Sequence, residues 1–416
     1  MKKLIFVIFL LVTTKAFTQY GWFVSSTFNS AGNYEVLKSV KFYNEKIGFA
    51  VGPYRIYKTT DTGSNWTRIQ NYSPEAICIT YTDSLTWYVS ERGIYKTTNM
   101  GLDWTFQIYS PNLLYSIHFV NDNTGFAAGG SSGSNYLLKT TNKGVNWNEI
   151  QLSPSYELNT INFIDAQTGF VAGRRGAFFK TTNGGLNWYG QSPDTLYDYF
   201  TMFVTQNNII YVSAGYISQG RVVKSTDNGN TWVSLLVGSG DVNSLYFTDD
   251  LTGYAVDNGR HIYKTSNGGV NWSSKYFSQI SELNDIYFIN ENTGVAVGGQ
   301  QFAPYAYVIL KTTNAGELIG VNPVSNQIPE SWNLTQNYPN PFNPVTKIKF
   351  ALPKQSFAKI VIYDHLGREV TTLVNEQLKP GTYEVDWDGT GFASGVYFYS
   401  LVTNDFIETK RMVLIK

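Results

Sequence analysis

The chain has 416 residues, with 31 basic and 31 acidic side chains and so no formal net charge. That balance argues against a nucleic-acid binder, which carries a basic surplus, and the length implies two or three domains. A single cysteine, Cys78, excludes an intramolecular disulfide and a cysteine-cluster metal site, and three histidines, His118, His261 and His365, argue against a multi-histidine zinc site. No metal ligands and no cofactor motif stand out. Aromatic residues make up 16% of the chain and glycines number 37. This composition suits short strands and tight turns, hence an all-β fold.

In chain order, residues 1–18 read as a signal peptide. Lys2 and Lys3 precede an apolar run from Leu4 to Val12, and Ala16 and Thr18 sit at −3 and −1 for cleavage before Gln19. Nine apolar residues are too few to span a bilayer, which takes about 20, but they fit a secretory leader. No other stretch could cross a membrane. Without the leader the chain has 28 basic and 31 acidic residues.

From residue 19 to 320 one string recurs seven times. It begins at Lys58 (KTTDTGSNW), Lys96, Lys139, Lys180, Lys224, Lys264 and, truncated, at Lys311 (KTTNAG), at intervals of 38, 43, 41, 44, 40 and 47 residues. Four strands per repeat at this period predict a seven-bladed β-propeller. Strand A ends in an aromatic (Phe42, Tyr81, Phe119, Phe163, Phe203, Phe247, Phe288). Strand B carries a Gly-apolar run such as GFAVG from Gly48, with departures at Trp87 and Ile210. Strand C is the apolar pair before each lysine, and strand D opens at the tryptophan. The seventh copy has Ile319 where the others have Trp. Residues near 20–27, beginning Gly21-Trp22-Phe23-Val24, are expected to supply that blade's outer strand and close the ring, leaving no exposed sheet edge.

The recurring string resembles the Asp-box, or BNR repeat. Its third position is Asp61 and Asp227 in two copies and Asn99, Asn142, Asn183, Asn267 and Asn314 in five. An amide keeps the acceptor and loses the charge, so the position serves the turn rather than catalysis. The tryptophan is expected between blades, and the lysine stem over aromatic surface. Seven such units look like the propellers of the photosystem II assembly factor type and, more loosely, those of sortilin and sialidases.

Residues 321–326 read as a linker, and residues 327–416 change character. NYPNPFNPVTKIKFALP from Asn337, VIYDHLGREVTTLV at 361–374, GTYEVDWDGT at 381–390 and ASGVYFYSLV at 393–402 resemble the C-terminal sorting domain of the bacterial type IX secretion system, an immunoglobulin-like β-sandwich. That resemblance implies export through the periplasm to the outer surface or medium. The implied partners are the secretion machinery and a sortase-like peptidase that removes the tail.

B-to-C and D-to-A loops share one face of the predicted propeller, and six arginines gather in or beside B-to-C turns there: Arg55, Arg92, Arg174, Arg175, Arg221 and Arg260. They are the candidate ligand-binding residues, a cationic rim for a carboxylate, a phosphate or an acidic protein surface. The function expected is non-enzymatic binding of a protein or glycan partner outside the cell. The alternative is a secreted glycoside hydrolase, sialidase-like or another Asp-box glycosidase. The Phe/Tyr-Arg-Ile-Pro string of sialidases is absent, since Tyr54-Arg55-Ile56-Tyr57 lacks the proline. The acids near that face, Glu75, Glu157, Asp198, Asp241, Glu282 and Asp285, form no recognisable catalytic pair.

Overall fold

A computed structural model describes residues 21–29, 36–53, 55–69, 76–131, 133–191, 196–216, 219–278, 280–300, 306–316, 322–325, 327–378, 380–389 and 392–415. The expected leader, 1–18, lies outside them. Strands and turns make up these residues, and no helix among them is long and apolar enough to cross a membrane. One compact unit runs from Val24 to Gly316, and Glu317–Lys416 belongs to the other.

The first unit is a seven-bladed propeller. Blade 1 is an antiparallel sheet of Ser39–Phe42 (A), Gly48–Gly52 (B), Arg55–Thr59 (C) and Thr67–Arg68 (D). The inner strands A of the next six blades are Cys78–Tyr81, Leu113–Phe119, Leu158–Phe163, Asp198–Val204, Val242–Phe247 and Glu282–Phe288. In blade 7 the order from outside inward is Trp22–Asn29, Ala306–Thr312, Gly294–Gln300, Glu282–Phe288. The front of the chain thus closes the ring as expected. It also grips blade 1: Ser25 Oγ donates to the Gly63 carbonyl at 2.8 Å, and Phe28 stacks on Tyr57 at 4.1 Å.

Glycine opens strand B because of the aromatic that ends strand A. A Cβ on Gly48, Gly125, Gly169, Gly253 or Gly294 would come within 2.4–2.8 Å of the ring of Phe42, Phe119, Phe163, Phe247 or Phe288. Where the glycine is missing the partner changes. In blade 5 the register sets Val204, not Phe203, opposite Ile210, so a one-residue slip separates the observed pairing from the sequence alignment. In blade 2 Tyr81 faces Trp87, and its ring meets Tyr43 edge-on at 5.4 Å.

The Asp-box turn is organised by its first hydroxyl. Thr59 Oγ1 donates to Asp61 Oδ1 at 2.9 Å and accepts the N–H groups of Asp61 and Gly63 at 3.3 and 3.0 Å. Thr97, Thr140, Thr181, Ser225, Thr265 and Thr312 repeat this pattern, and all seven hydroxyl residues are buried. The third-position oxygen, acid or amide, accepts the N–H four residues on, as with Asp61 and Asn65 or Asn142 and Asn146, both at 2.9 Å. Asp61 is lowered below the usual carboxylate range: burial opposes the shift, but bonds from Asn65, Thr59 and Ser64 outweigh it. The tryptophans lie between blades as expected: Trp188 meets Phe126 of blade 3 at 6.3 Å and Phe163 of its own blade at 6.0 Å.

Six of the seven Asp-box lysines lie opposite an aromatic of strand B, with Nζ 5.1–5.8 Å from the rings of Phe49, Tyr88, Phe126, Phe170, Tyr211 and Tyr254. Each ammonium then donates to the Asp-box turn of the following blade. Lys58 reaches Met100 O, Lys96 Lys143 O, Lys139 Gly184 O, Lys180 Asn228 O, Lys224 Gly268 O and Lys264 Ala315 O, at 2.7–3.3 Å. Lys311, opposite Val295, completes the circle on Ser64 Oγ of blade 1 at 2.9 Å.

The second unit is a sandwich of two four-stranded sheets. One orders Asn322–Ser325, Gly381–Asp388, Val345–Leu352 and Asn333–Leu334; the other orders Glu369–Leu378, Ser356–Tyr363, Gly395–Val402 and Ile407–Leu414. Within the expected linker 321–326, Asn322–Ser325 pairs as an edge strand on Gly381–Asp388. The NYPNPF segment is anchored through Asn337, whose N–H donates to Tyr399 Oη at 2.8 Å and whose amide donates to Thr346 Oγ1 at 2.9 Å. Phe342 packs on Trp387 at 5.3 Å inside the core.

These contacts rank two substitutions in the box. Thr140→Val strips the Asn142 and Gly144 N–H groups of their acceptor and should cost about 2–3 kcal/mol. Asp61→Asn keeps the acceptor that five copies already use and should cost less than about 1 kcal/mol. Urea unfolding of the two variants checks the order.

Candidate functional site

Seven inner strands surround an axial channel of about 220 Å³. Cross-strand register sorts its lining into layers. Ser39, Cys78, Ser116, Thr160, Thr201, Ser244 and Asp285 form a band of small polar groups. The next layer toward the Asp-box face holds Lys41, Thr80, His118, Asn162, Phe203, Tyr246 and Tyr287, each paired with the second residue of its strand B. There Phe203 packs on Tyr246 at 4.8 Å and Tyr246 on Tyr287 at 5.0 Å. The Tyr287 hydroxyl interacts with those of Tyr81 and Tyr246 and donates to Phe42 O at 3.0 Å, so blades 2, 6 and 7 meet across the axis. Burial, then the neighbouring tyrosines, raise Tyr287 far above the ordinary phenol range. At the opposite mouth stand Lys38, Tyr115, Asn159, Asn243 and Asn284.

Amides at that mouth join blades. Asn159 Nδ2 donates to Tyr199 O at 2.7 Å, Asn243 Nδ2 to Leu283 O at 2.8 Å and Asn284 Nδ2 to Leu37 O at 3.0 Å. Asp285 does the same lower down. Its carboxylate accepts from Ser39 Oγ (3.0 Å) and Val40 N (2.9 Å) of blade 1, Ser244 Oγ (2.7 Å) of blade 6 and its neighbour Ile286 N (2.9 Å). It is a clamp between three blades, with its lone pairs committed.

The six candidate arginines lie where the sequence puts them, in or beside B-to-C turns, but they do not form one cluster. Arg174 and Arg175 share a turn in blade 4. Arg174 is held by Glu157 at 3.3 Å and Asp198 at 3.8 Å, while the Arg175 N–H donates to Asp198 Oδ1 at 2.8 Å and its guanidinium lies 5.8 Å over Tyr156. Tyr115 adjoins this group, and burial followed by the Glu157 carboxylate pushes it up to about 12. Arg221 and Arg260 lean instead on strand D, donating to Ser234 Oγ and Tyr276 Oη, both at 3.3 Å. Arg260 sits in a turn braced by the buried Asp257, which accepts from His261 N at 2.7 Å and Tyr263 Oη at 2.8 Å. Arg55 begins strand C of blade 1 and Arg92, exposed, lies in the turn of blade 2. Glu75 lies outside the described residues. The other candidate acids have partners: Glu157 and Asp198 as above, Asp241 with Asn258 Nδ2 (3.3 Å), and Glu282 with Lys38 (3.2 Å).

Against known proteins, residues 138–298 match the family model described as photosynthesis system II assembly factor YCF48, and residues 336–416 match that of the secretion system C-terminal sorting domain. The chain carries an Asp-box propeller and a type IX sorting domain. The photosystem II assembly lipoprotein Ycf48 of Synechococcus sp. (strain CC9902) is 23% identical over 164 residues, 37% of this chain and 47% of that protein. The chain thus spans about half the length of the curated relative it matches. YCF48 from Cyanidioschyzon merolae superposes with a TM-score of 0.53 at 18% identity, covering 70% of this chain and 98% of that one. A YCF48 bound to D1 peptide gives 0.55 at 13%, covering 71% and 97%, and the GH74 enzyme of Niastella koreensis gives 0.55 at 12%, covering 94% and 68%. At these identities the structural matches establish fold alone. The sorting domain directs the chain through the type IX system to the cell surface or beyond.

The channel groups escaped sequence reading, His118 above all. Its ring stacks on Phe163 at 5.9 Å, and the half-buried residue lines the channel. Burial, then the Lys41 ammonium, push it down to about 4 from 6.5. The unfolded chain then binds the extra proton first as pH falls. Stability should be full above pH 6.5 and be lost progressively down to about pH 4, by on the order of 3 kcal/mol. Thermal unfolding from pH 7 to 4 should show this slope, flattened in His118→Gln.

Proposed function

We propose that the chain is an exported, non-hydrolytic propeller that binds a protein partner on the face carrying the B-to-C and D-to-A loops. One observation carries this reading: the described candidate acids of that face are each taken up by a cation, an amide or a hydroxyl, while Arg92, Arg174 and Arg175 stand exposed beside the channel mouth. A carboxylate already committed to neighbours is a poor general acid or nucleophile, whereas exposed guanidinium groups around a polar mouth suit recognition of an acidic surface. A YCF48 solved with a D1 peptide is a precedent for a polypeptide ligand on this fold. The second reading, a glycoside hydrolase, would rest on Glu157 and Asp198, the two carboxylates flanking Arg174.

Pull-down from the organism's surface fraction with the purified chain, alongside a reducing-sugar assay on a glycan panel, separates the two. Binding without sugar release is expected, and release abolished by Glu157→Gln would replace the binding reading with the hydrolase. Arg92→Glu with Arg175→Glu should lower partner affinity at least tenfold at low salt and leave the melting temperature unchanged, because neither arginine holds a buried acid by its side chain. Salt should weaken wild-type binding as the screening length falls to about 8 Å. Deleting 327–416 should leave the propeller folded and retained in the periplasm. Immunoblots of cell fractions check that outcome.

A further inference from the structure

We propose that the axial channel binds a carboxylate group, with Lys41 as its counter-charge. Lys41, Thr80 and His118 occupy the same register on three successive inner strands, opposite Phe49, Tyr88 and Phe126. They form an arc one layer below the small polar band. Lys41 Nζ lies 5.5 Å from the Tyr287 ring centroid and, among the described residues, within ion-pair distance of no carboxylate. The acid in the cavity, Asp285, cannot serve it, since four donors already occupy both carboxylate oxygens. At the mouth Lys38 differs, being neutralised by Glu282 at 3.2 Å. An unpaired ammonium inside a 220 Å³ polar cavity is costly unless water or an anion balances it.

The other groups fit a carboxylate. Ser116 Oγ accepts the Ile161 N–H at 3.3 Å and keeps its own proton to donate. Thr80 adds a second hydroxyl between Lys41 and His118. One available cation with the Asp285 carboxylate in the adjoining layer favours a monoanion over a dianion such as phosphate. Tyr81, Tyr246 and Tyr287 meet at the far end, so a ligand enters past Lys38 and Tyr115. The source is either a free small carboxylate or the C-terminal carboxylate of a polypeptide threaded into the mouth.

His118 is the reporter. Burial, with the help of Lys41, holds its ring neutral. A carboxylate bound between them offsets that charge and raises the His118 titration. The experiment is an NMR titration of the histidine ring protons of the full chain, with His261 and His365 as internal controls and His118→Gln for assignment. Sodium acetate should move the His118 midpoint up by at least one pH unit, saturably, while sodium chloride of equal ionic strength should not. N-acetyl-glycyl-glycine, which offers a peptide C-terminus, is the second probe. Tighter binding than acetate assigns the site to polypeptide ends, and equal or weaker binding assigns it to free carboxylates. Lys41→Met should abolish the acetate response while Lys41→Arg retains it. No acetate response, an equal response to inorganic phosphate, or a response surviving in Lys41→Met would overturn the proposal. If Lys41→Met does not fold, the wild-type comparison of acetate, chloride and phosphate decides alone.

Discussion

A lysine that rests on its own blade and bonds to the next is the constraint on which the propeller depends. Six Asp-box lysines lie opposite a strand B aromatic and donate to the Asp-box turn one blade on. A cation over a ring contributes about 0.5–2 kcal/mol, and a charge-assisted bond to a carbonyl a similar amount. Six such links, with Lys311 on Ser64 completing the circle, matter more than their sum, because each adds a directional bond to the packing between two neighbouring sheets. The seventh shows the rule under strain. Val295 replaces the aromatic, and Lys311 turns to the Ser64 hydroxyl instead of a carbonyl. The inner strands repeat the device on the axis side through Asn159, Asn243, Asn284 and Asp285.

Features that repeat were legible in the sequence. The box, the glycine opening strand B, the blade count and the closing strand recur or are missing at a fixed place, and each corresponds to a steric or hydrogen-bonding need of one blade. Gly169 is there because Phe163 covers it. Blade 5 misled the alignment because glycine and aromatic were lost together, leaving Val204 opposite Ile210 and shifting Phe203 to the axis. The channel was not legible for a related reason. Its positions vary between blades, from Lys41 to Thr80 to His118, so averaging over repeats erases them. A column-by-column comparison of the residue before each strand A terminal aromatic would have exposed Lys41 and His118. Arginine placement was readable, but direction was not: Arg174 is claimed by acids at the entry to strands A of blades 4 and 5, and Arg221 and Arg260 turn outward to strand D.

Acidic residues that look catalytic in a list have other work in the fold. Asp285 joins three blades, Asp257 braces a turn, and Asp61 and Asp227 cap Asp-boxes where amides serve equally. In the tail, the same accounting of backbone partners turns 322–325 from spacer into edge strand. Each reassignment follows from asking which donors a carboxylate or strand must satisfy before it is free for chemistry.

The outer strand of blade 7 comes from the front of the chain and its other three from the end of the repeats. Synthesis therefore delivers the first piece of the last blade some 250 residues before its partners, as the strand bounds at Asn29 and Glu282 show. Until then the growing polypeptide is an open arc with two raw ends, and no intermediate number of blades can seal it. Pairing across so long a loop is slow and leaves sheet edges exposed meanwhile. In a chain of this design the strand edges stay covered only once the circle completes, so folding that waits for the last blade exposes them least.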